Sequence, residues 1–160
     1  MPEPEPIYVF VEIPKGSRNK YEFDPEVGHV VLDRTLWTSV VYPADYGFII
    51  DTVGRDGDPV DALVLVSRPT FPGVVVDARP VGVLEMRDGG KPDEKILCVA
   101  TRDPRFSPRH SIKDMNPHTL AEIVHFFEVY KALENKEVEI LGWKDVDAAI
   151  EIISEYRTDR

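Results

Sequence analysis

Asp56-Gly57-Asp58-Pro59-Val60-Asp61, followed at once by Ala62-Leu63-Val64-Leu65-Val66, is the stretch from which the rest of the chain is read. Gly57 and Pro59 exclude a helix and predict a turn with its side chains splayed toward one point. The apolar run predicts a buried strand, so the turn is anchored at one end to the core. Three carboxylates this close repel one another unless a cation or protons intervene. Their oxygens are hard ligands, suited to Mg²⁺, Mn²⁺ or Ca²⁺. The expectation is a metal site on a rigid strand edge. An EF-hand loop starting at Asp56 fails by position, because Val60, Asp61 and Ser67 stand where a ligand, the turn glycine and the closing Glu are needed.

The surrounding composition fits a folded chain. The 160 residues are 42% hydrophobic and 30% charged, the balance of one globular domain (1–160) with a real core. No apolar run reaches the roughly 20 residues that span a bilayer, so no membrane role is expected. The acidic, Pro-rich start, Met1 to Pro6, is the opposite of a secretory signal and reads as a flexible lead-in. Cys98 is the sole cysteine, flanked by Leu97 and Val99, so nothing points to an oxidising compartment and the cytoplasm is expected. The net charge of −10 argues against nucleic acid as partner but leaves room for an anionic small substrate carried with divalent cations.

N-terminal to the acidic turn, strands are expected at Ile7 to Ile13, Lys20 to Phe23 and His29 to Arg34, read together as a β-meander. Strand alternation puts Lys20 and Glu22 on one face. Trp37 to Phe48 contains an aromatic-dense turn. C-terminal to the acidic turn, Val74 to Met86 reads as a strand with a bend or bulge at Pro80 and Gly82. Asp88 to Lys95 is a hairpin-like loop, and Ile96 to Ala100 returns as a strand. Thr101 to Met115 is polar and irregular. Asn116 can cap a helix with Pro117 at its first position, and Leu120, Ile123, Val124, Phe127 and Tyr130 share its apolar face. A short strand at Glu137 to Leu141 precedes a second helix marked by Val146, Ala149, Ile150 and Ile153. The fold class is α+β, a curled antiparallel sheet or barrel with two helices behind it.

Further chemistry is available outside the turn. Asp88 and Asp93 stand near Lys95, a set that an ordinary charged hairpin would also give. Glu12 interrupts an apolar run, a costly position unless the carboxylate is paired, metal-bound or on an exposed edge. Lys15, Arg18, Lys20, Arg34, Tyr42, Tyr46, Lys95, Tyr130 and Lys131 supply cations and phenols that would suit a phosphate held among divalent metals. No nucleophile elbow, Walker lysine loop or dinucleotide glycine pattern is present, and the four histidines lack zinc-protease spacing.

The ordered set of these residues resembles the family I soluble inorganic pyrophosphatases of bacterial size. The resemblance rests on Asp56 to Asp61 read as D-x-D-P-x-D, with Glu12-Ile13-Pro14, Lys20-Tyr21-Glu22, Asp33-Arg34, Tyr42-Pro43 through Tyr46-Gly47, Arg79-Pro80-Val81-Gly82, Asp88/Asp93/Lys95 and His125-Phe126-Phe127-Glu128-x-Tyr130-Lys131 in order. It spans Ile7 to the last helix. It implies a five-stranded OB-like β-barrel with flanking α-helices, and a hydrolase that splits pyrophosphate into two orthophosphates. By resemblance, Asp56, Asp61 and Asp93 bind the tighter metal, and Asp61 bridges to a second. Asp88 and Asp93, with Glu12 and Glu22 partly through water, hold metals arriving with substrate. Asp58 is the general base. Lys20, Arg34, Tyr46, Lys95, Tyr130 and Lys131 bind phosphate, and Tyr42 supports the site.

The implied chemistry is direct attack by a water or hydroxide bridging metal ions, with no covalent intermediate. Mg²⁺ is the expected cofactor, Mn²⁺ a possible substitute and Ca²⁺ inhibitory. The implied assembly is a homo-oligomer, a homohexamer by expectation. Val129 and Ala132 stand where some hexameric members carry a His and an Asp in an inter-subunit contact, so that contact is not carried over. Glu85 stands where a basic residue is common, and no role is assigned to it. Two readings from other classes are an OB-type oligonucleotide-binding module, opposed by the net charge, and a Ca²⁺-stabilised structural domain that would melt with metal removal but turn nothing over.

Overall fold

The computed structural model describes residues 6–158. The expected lead-in therefore lies outside the described residues, apart from Pro6. Among the described residues, β1 (Ile7–Ile13), β2 (Asn19–Asp24), β3 (His29–Thr35), β4 (Asp45–Ile49), β5 (Asp61–Leu65), β6 (Val75–Asp88), β7 (Lys91–Pro92) and β8 (Lys95–Ala100) come first. They are followed by α1 (Pro117–Val129), β9 (Val138–Asp145) and α2 (Val146–Tyr156). Short 3₁₀ turns lie at Ile112–Asp114 and Ala132–Glu134.

Five strands close into a ring. The order runs β1-β4-β5-β8-β6, and β6 pairs back onto β1. Closure leaves no unpaired edge within the ring. β5 and β8 are parallel, with Leu63 opposite Leu97, and the other ring pairs are antiparallel. β9 pairs with β6, from Gly82 opposite Asp145 to Asp88 opposite Val138.

The apolar run after the acidic turn is the strand expected, buried from Ala62 to Leu65. Both of its faces are covered, as a near-continuous apolar run requires. Leu63 and Leu65 join a core with Tyr46, Leu97, Phe126 and Phe127 under α1. Ala62 and Val64 join the second core with Ile49, Ile96, Cys98, Ala149 and Ile153 under α2. Truncating Leu63 to Ala would cost about 2–5 kcal/mol by the usual scale for buried leucines. The Asn116 side chain accepts from the His118 amide and Pro117 opens α1, as the sequence predicted.

Three expectations need correction. The first three strands are not a meander: β1 pairs with β4 and β6, and β2 and β3 form a separate two-stranded sheet. Pro14 and the Lys15-Gly16-Ser17 turn carry the chain away from β1, while β4 and β6 offer its apolar residues a closed core. The aromatic-dense stretch ending at Phe48 includes strand β4. β9 runs on to Asp145, beyond the predicted end, because a register shift near Leu141 lets Gly142 and Trp143 keep pairing with β6.

Candidate active site

The acidic turn projects from the barrel between β4 and β5. Asp56 and Asp58 are exposed, and Asp61 is half-buried at the start of β5. Gly57 has φ 85°, the left-handed conformation that glycine adopts without strain. The Asp56 carboxylate accepts from the Asp58 amide at 3.0 Å, and the Gly54 amide donates to the Asp58 carbonyl at 2.7 Å. Asp56, Asp58, Asp61 and Asp93 line one groove of about 440 Å³ with Lys91, Glu94 and the α2 residues Ile152, Glu155 and Tyr156.

Behind this groove lies a buried knot of charge. Lys95, at the start of β8, is 3% exposed. Its ammonium donates to Tyr46 Oη at 2.8 Å, Asp61 Oδ2 at 2.8 Å and Asp93 Oδ1 at 3.0 Å. It also lies over the rings of Tyr46 and Phe127, at 5.3 and 5.5 Å from their centroids. Burial opposes the charge on Lys95, but the Asp61 carboxylate, joined by Asp93, outweighs it and holds the ammonium well above the usual lysine range. Burial pushes the Asp93 carboxyl up, with Lys95 acting against it. Tyr46 and Tyr130 are held as neutral phenols, chiefly by burial. Tyr42 is buried against Phe126 and Tyr46, and its hydroxyl is likewise pushed up by burial.

A second ion pair joins Lys131 to Asp88. Burial opposes the Lys131 charge, and the hydrogen bond to Asp88 raises its pKa. The Lys131 ammonium sits 5.2 Å from the Tyr130 ring centroid.

Glu12 is placed by a bulge. In the β1–β4 ladder Val11 pairs with Gly47 and Ile13 with Tyr46, which leaves Glu12 as the extra residue. Bulges re-aim side chains in this way. A Cβ at Gly47 would lie 1.8 Å from the Phe10 carbonyl oxygen, so only glycine permits this approach. Glu12 accepts from the Phe23 amide at 2.9 Å. Desolvation, opposed by that hydrogen bond and aided by the charges of Asp61 and Glu22, pushes its carboxyl up to about 7.

The β2–β3 sheet brings Lys20 opposite Arg34. Both reach the Asp33 carboxylate, at 3.2 and 2.8 Å, and Arg34 also pairs with Glu134 at 3.0 Å. The alternation had not singled out Asp33 or Glu134 as partners. Asp33 is the extra residue where the β2–β3 register shifts between Lys20 and Tyr21, a bulge that strand alternation does not show. Glu134 lies 100 residues from Arg34 and had no local signal.

The turn's three carboxylates do not form a cage by themselves. Among the described residues no three His, Cys, Asp or Glu side chains converge as a ready metal site. Like charges separate, and the Lys95 ammonium draws Asp61 to Asp93 instead. A larger cavity of about 660 Å³, lined by Phe106, His118, His125 and Phe126, contains none of the expected carboxylates, and of the candidate cations and phenols Lys15 and Tyr42 reach it.

Fold and site together define a closed β-barrel with hard oxygen donors at its rim and buried cations alongside. A family model described as inorganic pyrophosphatase matches residues 9–159. The inorganic pyrophosphatase of Synechocystis sp. is 56% identical over 149 residues, 93% of this chain and 88% of that protein. The one from Halalkalibacterium halodurans is 51% identical over 153 residues, 96% and 94%. The solved inorganic pyrophosphatase from Thermus thermophilus superposes with TM-score 0.91 at 45% identity, covering 96% of this chain and 92% of that one. The Helicobacter pylori enzyme does so with TM-score 0.91 at 44% identity, over 95% and 91%. The chain belongs to family I of the inorganic pyrophosphatases, and its α+β fold is their OB-like barrel.

Proposed function

We propose that the chain hydrolyses inorganic pyrophosphate to two orthophosphates in the cytoplasm, with Mg²⁺ as cofactor, and assembles as a homo-oligomer, expected to be a homohexamer. The observation that carries this reading is the placement of the exposed Asp56–Asp58 turn in one groove with Asp61 and Asp93, the two carboxylates that Lys95 ties together. The family match supports the same reaction.

The donor chemistry fits a hard divalent ion. Asp56, Asp61 and Asp93 offer only carboxylate oxygens, two of them against a single lysine charge. The Glu12 carboxyl, pushed up chiefly by burial and further by Asp61 and Glu22, is another group that a cation would stabilise as carboxylate. Asp56, Asp61 and Asp93 would hold the tighter ion, and Asp88, Glu12 and Glu22 those accompanying substrate. When bound, Mg²⁺ neutralises pyrophosphate charge and acidifies water.

The residues of the chain do the rest. Asp58, exposed in the groove, takes the proton from attacking water. Water oxygen bonds to one phosphorus, the bridging P–O bond breaks, and its electron pair leaves with the second phosphate. Lys20, Arg34, Lys95 and Lys131 stabilise that charge, while Tyr46 and Tyr130 donate as neutral phenols. Tyr42 packs behind Tyr46 and keeps it in place.

Phosphate release from pyrophosphate across Mg²⁺, Mn²⁺ and Ca²⁺ tests the reading. Turnover is expected with Mg²⁺, measurably with Mn²⁺ and poorly with Ca²⁺, whose larger radius relaxes the coordination. A folded, Mg²⁺-loaded sample that releases no phosphate would overturn it.

A further inference from the structure

The neck of the acidic turn holds a buried polar group with no part in the scheme above. Thr52 is 3% exposed, and Lys95, Asp45 and Thr38 are the other buried polar or charged residues among those described. Its hydroxyl donates to the Ile49 carbonyl at 2.7 Å and accepts from the Val60 amide at 3.0 Å. The Ile49 amide donates to the Val60 carbonyl directly, at 2.9 Å.

In an antiparallel ladder a hydrogen-bonded pair exchanges both N–H···O bonds. Here one bond of the Ile49/Val60 pair is direct, and the Thr52 hydroxyl stands inside the other. The hydroxyl relays the bond, so the strands part at this point and the loop of residues 50–59 begins. Val60 lies between Pro59 and Asp61, so its amide is held one residue before β5 begins and two residues after Asp58.

A second set of bonds meets at the same neck. Asp51 has φ 62°, a left-handed conformation uncommon outside glycine. Its carbonyl accepts from the Thr158 amide at 2.8 Å, and the Val53 amide donates to the Tyr156 carbonyl at 2.9 Å. Thr52 forms an antiparallel bridge with Arg157 between them. The segment after α2 thus straps the outer side of the neck while the Thr52 hydroxyl wedges the inner side.

We infer that Thr52 is a positioning residue that sets the spacing of the acidic turn from β5, and with it the affinity of the turn for divalent cation. This rests on the functional reading above. Thr52→Val keeps the volume and removes the relay; Thr52→Ala removes it with less packing; Thr52→Ser keeps it. Mn²⁺ binding would be titrated without substrate by electron paramagnetic resonance, beside the Mg²⁺ dependence of kcat and KM and the thermal melt. Val and Ala variants are expected to bind Mn²⁺ at least tenfold more weakly and to need more Mg²⁺ for half-maximal rate, while Ser stays within twofold of wild type. Wild-type Mn²⁺ affinity in a folded Val or Ala variant would overturn the inference. Failure of both to fold beside an intact Ser variant would also overturn it, leaving the hydroxyl a structural requirement. If the wild type itself binds no Mn²⁺ and releases no phosphate, the functional reading fails first, whatever the variants do.

Discussion

The Asp56–Asp58 turn and the Lys95 knot use the same carboxylate chemistry in opposite surroundings. In the turn, Asp56 and Asp58 stand in water, and one Asp56 oxygen, Oδ1, accepts from the turn's own backbone. In the knot, Asp61 and Asp93 share one ammonium that is nearly sealed from solvent. Water screens the exposed charges, so their loss changes chemistry more than folding. A buried charge stripped of its partner has no such screen. Asp61 belongs to both regions, as the last residue of the turn and the first of β5. The site is a soft, replaceable rim fixed to a rigid interior.

That contrast is open to direct attack. The largest effect is expected from Lys95→Met, which leaves Asp61 and Asp93 facing each other at the floor of the groove without their shared cation. Denaturant unfolding in metal-free buffer should show a loss of about 2–4 kcal/mol, less than for a fully buried pair because groove water reaches both carboxylates, and turnover should fall as well. A loss under about 1 kcal/mol would mean the knot is not a structural unit. Asp58→Asn, on the rim, should cut phosphate release by about 10²–10⁴-fold while stability stays within about 0.5 kcal/mol. Wild-type rates in that variant would remove Asp58 as base.

Glu12 sits between the two cases. Its carboxyl rises from 4.5 to about 7, so the folded state holds the proton more tightly than the unfolded one. In metal-free protein its contribution to stability is complete below about pH 4.5 and is lost as pH rises through about 7. Glu12→Gln should therefore be more stable than wild type at pH 8, by up to about 3 kcal/mol, with the difference shrinking toward pH 4.5. Paired melts at the two pH values read this out, and equal stability at pH 8 would place Glu12 in a wetter setting. The smallest effect concerns Cys98, fully buried, with its thiol pushed up by burial alone. A thiol reagent should leave the native protein unlabelled and label it fully in denaturant.

Much of this was legible in the chain. The apolar run after Asp61 reads as a buried strand, and Asn116-Pro117 reads as a helix start, because both signals are local. The Glu12 position was marked by its cost inside an apolar run, and the bulge that makes it the extra residue of its strand is a product of β1 pairing with β4. Periodicity could not choose between a meander and a closed ring. That choice depends on which strands meet across tens of residues, and β1 meets β4 and β6.

The sequence by itself determined which groups the chain carries and where each would lie along a strand or turn: hard oxygens at Asp56, Asp58 and Asp61, phenols at Tyr42 and Tyr46, and a thiol hidden among Leu97 and Val99. Bond geometry and side-chain chemistry act over a few residues, so they can be read in order. Only the tertiary structure decided that Lys95 would stand between Asp61 and Asp93, that Arg34 would meet Glu134, and that a threonine hydroxyl would replace a ladder bond at the neck of the turn. Those outcomes follow from barrel closure, which brings distant strands within hydrogen-bond reach and excludes the water that would otherwise have met the charges.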